Sequence, residues 1–111
     1  MNIYDTVNKL AQEIKESEEY INYKMAKQAL DLNSELKIKI KEFEKKRYNV
    51  QIKVVQTGKR SEEEEKEVER LYLELVENEE ARKYFEAETK FNIIIADVNK
   101  IIGDAIKDVI K

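Results

Sequence analysis

Proline is absent from this chain, and the only glycines are Gly58 and Gly103. Proline and glycine are the residues that most disfavour a helix interior, so most of the 111 residues contain nothing that breaks a helix. Apolar and charged residues each make up 41% of the chain, whereas an ordinary globular domain has about 45–50% and about 25%. This balance is typical of helices with one apolar stripe and a broad solvated face. The sequence therefore predicts an all-α fold of about five helices, in a single domain over residues 1–111.

Two short helices are expected before a long one. The first ends near Glu16, and Ser17 is placed to cap the second because two glutamates follow it at the positive end of the helix dipole. The second ends before Asn33, and Ser34 is predicted to cap the third helix. The stripe of the first helix has spacings of four, three and four residues and consists of Ile3, Val7, Leu10 and Ile14.

The third helix carries two apolar rows and resembles a coiled-coil strand. It is expected to end at Gly58, which can adopt the left-handed conformation, and Ser61 with Glu64 forms a capping box that opens the next helix. The result is a long antiparallel hairpin. Its main row has heptad spacing, with Arg47 in one slot: Leu36, Ile40, Phe43, Val50 and Val54. A second row on a neighbouring face consists of Ile38, Tyr48, Ile52 and Val55.

The lysines of the third helix are predicted to face the glutamates of the fourth. A fold at Gly58 sets Lys53 level with Glu64 and Glu65, and sets Lys45 and Lys46 level with about Glu74. Further from the turn, the same register pairs Lys41 with about Glu77, and Lys37 and Lys39 with Glu79 and Glu80. Exposed ion pairs contribute only about 0–1 kcal/mol each, so we expect these pairs to align the hairpin more than to stabilise it.

The last helix has the widest apolar face in the chain. Asn78 either caps this helix or lies within a longer one that continues from the fourth; the sequence leaves both open. The apolar side chains span an arc of about 140°, which is wider than a two-helix seam requires. We expect a homodimer or homotetramer to bury this stripe. Its predicted interface residues are Phe91, Ile94, Ile95, Val98, Ile101, Ile102, Ile106 and Val109.

The residue types argue against catalysis and against a cofactor. The chain has no cysteine and no histidine, so it lacks a thiol nucleophile, a thiolate-held cluster and an imidazole base. The glutamate run from Glu62 to Glu65 lacks the Asp/Asn alternation and the glycine of a calcium loop. We therefore expect no enzyme activity, no metal and no cofactor. The tyrosines are expected at the edges of the core, with their hydroxyls in water.

Location is predicted from two further features of the sequence. The first ten residues lack the cationic start and apolar run of a signal peptide. No stretch has the 18 or more consecutive apolar residues that suggest a membrane span. We therefore expect a cytoplasmic protein that does not insert into a membrane.

The order of several short motifs resembles the YlbF/YmcA/YheA family of small bacterial helical proteins, and more closely its uncharacterised YheA-like branch. The resemblance covers nearly the whole chain. It rests on Tyr4-Asp5, Ser17-Glu18-Glu19-Tyr20, Phe43, Gly58 with the acidic helix start after it, Tyr84 followed by Ala87-Glu88, and Asn99-Lys100-Ile101-Ile102.

The resemblance implies an oligomeric, cytoplasmic, non-catalytic regulator or adaptor that acts by binding proteins. Characterised members influence competence, sporulation and biofilm development, and act with RNase Y in RNA maturation, so YlbF-type siblings and RNase Y are the implied partners. Those members are associated with iron–sulfur clusters bound through cysteines, which this chain lacks. Two alternatives are a helical-hairpin scaffold with chaperone-like activity and, less favoured, RNA binding through the lysines between Lys37 and Lys53.

Overall fold

The computed structural model describes residues 2–110, and within them it contains five helices and no strand. The helices are α1 (Ile3–Glu16), α2 (Glu18–Asp31), α3 (Ser34–Thr57), α4 (Glu62–Leu75) and α5 (Glu79–Ile110). The predicted all-α class is confirmed. Two compact units are present, one formed by residues 2–26 and 84–110 and the other by residues 27–83. The single-domain prediction over 1–111 stays a prediction, and its terminal residues Met1 and Lys111 lie outside the described part.

The junctions before α2 and α3 are set by side-chain caps. Ser17 lies between α1 and α2, and its Oγ accepts a hydrogen bond from the Tyr20 amide at 3.2 Å, as predicted. The predicted cap of α3 is wrong by one residue. Asn33 is the cap, and its Oδ1 accepts from the Leu36 amide at 3.2 Å, while Ser34 is the first helical residue. Asparagine and serine cap helices about equally well, so local chemistry alone does not choose between these neighbours.

The turn between α3 and α4 follows the prediction closely. Gly58 has a φ of 70°, in the left-handed region, and its amide donates to the Val54 carbonyl at 2.8 Å. Ser61 Oγ accepts from the Glu64 amide at 3.3 Å, which is the first half of the predicted capping box. The Glu64 carboxylate, however, accepts from Lys53 Nζ at 2.8 Å rather than reaching back to the cap.

Asn78 decides the question that the sequence left open. Helix α4 ends at Leu75, and Asn78 Oδ1 accepts a hydrogen bond from the Ala81 amide at 3.1 Å. The chain therefore starts a new helix at Glu79 instead of continuing α4.

The core of the unit formed by residues 27–83 lies on the main row of α3. Ile40 and Phe43 are each 2% exposed, and the Phe43 ring lies 5.9 Å from the Tyr72 ring of α4. The guanidinium carbon of the half-buried Arg47 lies 5.2 Å from the Phe43 ring centre. This cation–π contact is how the apolar row accommodates a charged side chain. The buried residues of this unit are Leu30, Leu36, Ile40, Phe43 and Ala81.

The ion pairs correct the predicted register of the hairpin. Lys53 pairs with Glu64 as expected, but Lys46 pairs with Glu67 at 3.4 Å and not with Glu74. Glu74 instead binds Arg70, one turn earlier in its own helix, at 3.1 Å. The pairs predicted for Lys37 and Lys39 were wrong because neighbours along the chain compete first: Lys37 binds Asp31 at 2.6 Å, Lys39 binds Glu35 at 3.7 Å, and Glu79 binds Lys83 at 3.2 Å.

We predict that the two glycines respond in opposite directions to alanine. Gly58→Ala should lower the free energy of unfolding by about 1–2 kcal/mol, because an L side chain is strained at a φ of 70°. Gly103 lies inside α5, and an added methyl group there would meet open space. Gly103→Ala should therefore raise the free energy of unfolding by about 0.5–1 kcal/mol. Urea denaturation of both variants measures this, and equal effects would contradict the assigned turn.

Candidate protein-binding surface

The predicted interface residues all lie on α5, and the structure divides them into two groups. The four nearer the N-terminus of the stripe are half-buried: Phe91, Ile94, Ile95 and Val98. The four nearer its C-terminus are exposed: Ile101 by 69%, Ile102 by 50%, Ile106 by 43% and Val109 by 87%. The last three turns of α5 therefore present an apolar surface that the chain itself leaves uncovered. We call the residues Val98, Ile101, Ile102, Ile106 and Val109 the α5 stripe.

Helix α1 belongs to the same compact unit and is also incompletely covered. Leu10 and Ile14 are half-buried, whereas Ile3 is 72% exposed and Val7 is 53% exposed. Tyr4 beside them is 74% exposed. The sequence pattern located this stripe but gave no sign that its first half lacks a covering partner within the chain.

Phe91 takes part in an aromatic cluster within the unit. Its ring centre lies 5.5 Å from that of Tyr23 and 6.0 Å from that of Tyr20. Tyr84, which is 4% exposed, lies 5.8 Å from Tyr23. Aromatic pairs at these distances contribute about 0.5–1.5 kcal/mol beyond their buried area. This cluster joins α2 to α5, so Phe91 has a structural role in the chain that the sequence analysis did not identify.

Glu88 is the residue that the sequence reasoning missed. Its Oε2 accepts hydrogen bonds from the hydroxyls of Tyr23 at 3.2 Å and Tyr84 at 3.3 Å. The expectation that the tyrosine hydroxyls point into water is therefore wrong for these two. The four-residue spacing of Tyr84 and Glu88 places both on one face of a helix and was the available signal. Tyr23 comes from another helix, and no local pattern indicates that contact.

An open groove of about 530 Å³ runs between α3 and α4. Its lining includes the apolar residues Leu36, Phe43, Leu71 and Leu75 and the acidic residues Glu67 and Glu74. Both carboxylates bind Arg70, Glu67 at 2.7 Å and Glu74 at 3.1 Å. The hydrogen bond from Arg70 lowers the pKa of Glu67, against a smaller opposing effect of burial. A carboxyl held ionised in this way is poorly suited to donate a proton as a general acid.

The described residues bear on three further possibilities: a metal site, a membrane span and an RNA-binding face. Residues 2–110 contain no group of three or more histidine, cysteine or acidic residues arranged to hold a metal ion. None of the helices over those residues is long and apolar enough to cross a membrane. Four lysines of α3 are engaged by acids: Lys37 by Asp31, Lys39 by Glu35, Lys46 by Glu67 and Lys53 by Glu64. These pairs neutralise much of the basic face that an RNA backbone would require.

Residues 3–107 match a protein family described as control of competence regulator ComK, YlbF/YmcA. The chain belongs to the YlbF/YmcA family. The resemblance expected from its motifs is therefore confirmed over nearly the whole sequence, and the family is linked to competence regulation. No solved structure shows a significant match to the chain.

Several curated proteins that are similar to this chain carry the name UPF0342 protein. One from Desulfitobacterium hafniense is 40% identical over 110 residues, covering 99% of this chain and 89% of the relative. Another, from Symbiobacterium thermophilum, is 32% identical over 104 residues and covers 94% and 93% of the two chains. A third, from Clostridium novyi, is 32% identical over 108 residues, covering 97% and 95%. Their names describe no catalytic activity, which agrees with the family's description as a regulator.

The ion pairs of Glu67 predict a pH-dependent contribution to stability. Its pKa is lowered in the folded chain from an ordinary value of 4.5, so this contribution is present above that value and is lost as pH falls through the folded pKa. Glu67→Gln should destabilise the protein near neutral pH, and the difference from wild type should shrink as pH falls below 4.5. Urea denaturation over that pH range measures it. Glu69→Gln, which removes an exposed carboxylate with no ion pair among the described residues, is the matched control.

Proposed function

We propose that this protein is a non-catalytic regulatory or adaptor protein that acts in the cytoplasm by binding other proteins through helix faces. The observation that carries the proposal is the uncovered α5 stripe, in which Ile101 is 69% exposed and Val109 is 87% exposed. Contiguous apolar surface of this kind marks a binding site on soluble proteins. Membership of a family linked to competence regulation supports a regulatory role.

A second copy of the chain is the first proposed occupant of the α5 stripe, which gives a homodimer or homotetramer. One compact unit presents two uncovered apolar surfaces, the first half of α1 and the last turns of α5. A two-fold axis brings the same surfaces of two copies together, so each copy can supply what the other lacks. Fully burying one isoleucine contributes about 1.5–3 kcal/mol, and the stripe contains three.

A lipid surface fits the α5 stripe less well than a protein does. Helices that lie on membranes usually carry a cationic polar face. The polar side of α5 mixes Asp97, Asp104 and Asp108 with Lys100 and Lys107. The aspartates lie nearer the edge of the stripe than the two lysines do when the helix is drawn at 100° per residue. An anionic membrane would therefore repel the edge of this surface.

The proposed regulatory partners are YlbF-type siblings and RNase Y, by the family resemblance. The test is affinity purification of the tagged protein from its native cells, with nuclease treatment and with an α5-stripe variant as a matched control. The proposal expects these two kinds of partner in the wild-type sample after nuclease treatment, and their depletion in the variant. Recovery of neither kind would contradict the regulatory assignment, and recovery that nuclease abolishes would favour RNA binding.

Substitution of Val98 and Ile102 by aspartate tests the interface directly. Val98→Asp combined with Ile102→Asp should dissociate the oligomer or unfold the chain, because two charges would be buried in an apolar contact. Asn92→Asp with Ala96→Asp adds two aspartates to an exposed side of the same helix and should leave the oligomer intact. Sedimentation equilibrium gives the mass and circular dichroism the helicity. Unchanged mass and stability in the Val98 and Ile102 variant would contradict the proposed interface.

A further inference from the structure

Helix α3 carries a second row of residues, which are exposed except for the half-buried Ile52. At 100° per residue, the centre of this row lies about 150° around the helix from the core row that contains Ile40 and Phe43, so the row is on nearly the opposite face and not on a neighbouring one as expected. Ile38 is 57% exposed, Tyr48 is 62% exposed and Val55 is 80% exposed. The spacings along the row are three, four, three, four and three residues, which is a regular coiled-coil pattern. We call it the α3 seam, and it consists of Ile38, Lys41, Lys45, Tyr48, Ile52 and Val55.

The spacing of the α3 seam is the same when read in either direction. Two copies of α3 placed antiparallel about a two-fold axis therefore meet in register along the whole row, since a two-fold contact is reciprocal. Ile38 then faces the partner's Val55, and Lys41 faces the partner's Ile52. At the centre, Lys45 faces the partner's Tyr48. We propose that the α3 seam forms a contact between two copies of this chain, with the two α3 helices antiparallel.

The charges of the α3 seam favour the antiparallel arrangement over a parallel one. A parallel pair would set Lys41 against the partner's Lys41, and Lys45 against the partner's Lys45, which places like charges in direct contact. The antiparallel pair instead lays the aliphatic stem of Lys41 on an isoleucine and the ammonium of Lys45 on a tyrosine ring. Lys41 and Lys45 are exposed and have no ion pair among the described residues, so both are available for this contact.

The edge of the α3 seam is also complementary to itself. In an antiparallel pair, each edge of one helix meets the same edge of the other. Glu42 lies on one edge and falls between the partner's Asn49 and the partner's Lys53, whose ammonium also binds Glu64 of its own chain. An amide donor and a cation therefore surround this carboxylate, and no glutamate opposes it. A second copy of the chain thus satisfies both the apolar and the charged residues of the seam.

The α3 seam is independent of the α5 stripe in sequence and in structure. It lies wholly within the unit formed by residues 27–83, while the α5 stripe lies within the other unit. The α3 seam rests on the proposed function in one respect only: the partner that covers it is also a second copy of the chain. A chain that uses both surfaces assembles into a tetramer, and a chain that uses one forms a dimer.

Cysteine cross-linking tests the α3 seam, since the natural chain has no cysteine to compete. Ile38→Cys and Val55→Cys proteins are prepared separately, with tags of different size, and are mixed, allowed to exchange subunits and oxidised. The mixture should form a disulfide between the two variants. Each variant alone should form little, because like positions lie about 25 Å apart along the antiparallel helices. Ile38→Cys mixed with Lys66→Cys, an exposed residue of α4, gives the collisional background.

The outcomes separate the α3 seam from the proposed function. An oligomer by sedimentation whose mixture gives no bond above background overturns the seam and leaves the α5 interface standing. Strong cross-linking of each variant alone, at the yield of the mixture, indicates a parallel pair and also overturns the seam. A monomeric wild type contradicts both proposals.

A charge exchange at the centre provides a second test that leaves the ends of the α3 seam unaltered. Tyr48→Lys sets two lysines against each other in each central layer and should weaken the association at least tenfold. Adding Lys45→Glu to Tyr48→Lys restores an attractive pair across the two-fold axis and should recover most of the affinity. Both positions are exposed in the single chain, so the fold should persist. Failure of the second substitution to rescue the first contradicts the proposed pairing.

Discussion

Each helix of this chain has more apolar surface than the rest of the chain covers. The buried side chains cluster around Ile40 and Phe43 in one unit and around Tyr84 and Phe85 in the other. The ends of α1 and α5 and the outer side of α3 extend beyond these clusters with their isoleucines and valines in water. Helices with so little covering gain stability mainly by packing against other helices. The need for further partners therefore governs both the proposed assembly and the proposed function.

Local chemistry made much of the fold predictable. A left-handed glycine at Gly58 and a serine cap at Ser61 fix the hairpin turn, because both signals depend on a few neighbouring residues. The main heptad row of α3 also identified its core correctly at Leu36, Ile40 and Phe43, and Arg47, which the sequence placed in the same row, lies over the Phe43 ring. Where two neighbours have equal capping ability, as Asn33 and Ser34 do, the sequence did not decide between them.

Contacts between distant residues were harder to predict. The lysines of α3 were matched to glutamates by counting from the turn, but Arg70 holds Glu67 and Glu74, and Asp31 holds Lys37. Residues close in sequence compete for each charge. Counting residues from the turn shows which side chains are level across the hairpin, but it does not account for this competition. The carboxylate of Glu88 between two tyrosine hydroxyls depends on how α2 meets α5, which no local pattern encodes. The candidate stripe on α5 was predicted by its periodicity, whereas the division between half-buried and exposed residues required the structure.

The central claim is that a second copy of the chain covers the end of α5. Hydrogen exchange of the amides from Ile101 to Ile110, measured over a range of protein concentrations, tests this claim most directly. A helix end that is protected only in the oligomer should exchange more slowly as concentration rises, because association shifts the chain away from the exposed state. Protection from exchange that increases with concentration and reaches a plateau at full association is the predicted result. Fast exchange at every concentration, in a protein that sediments as a single chain, would contradict the account.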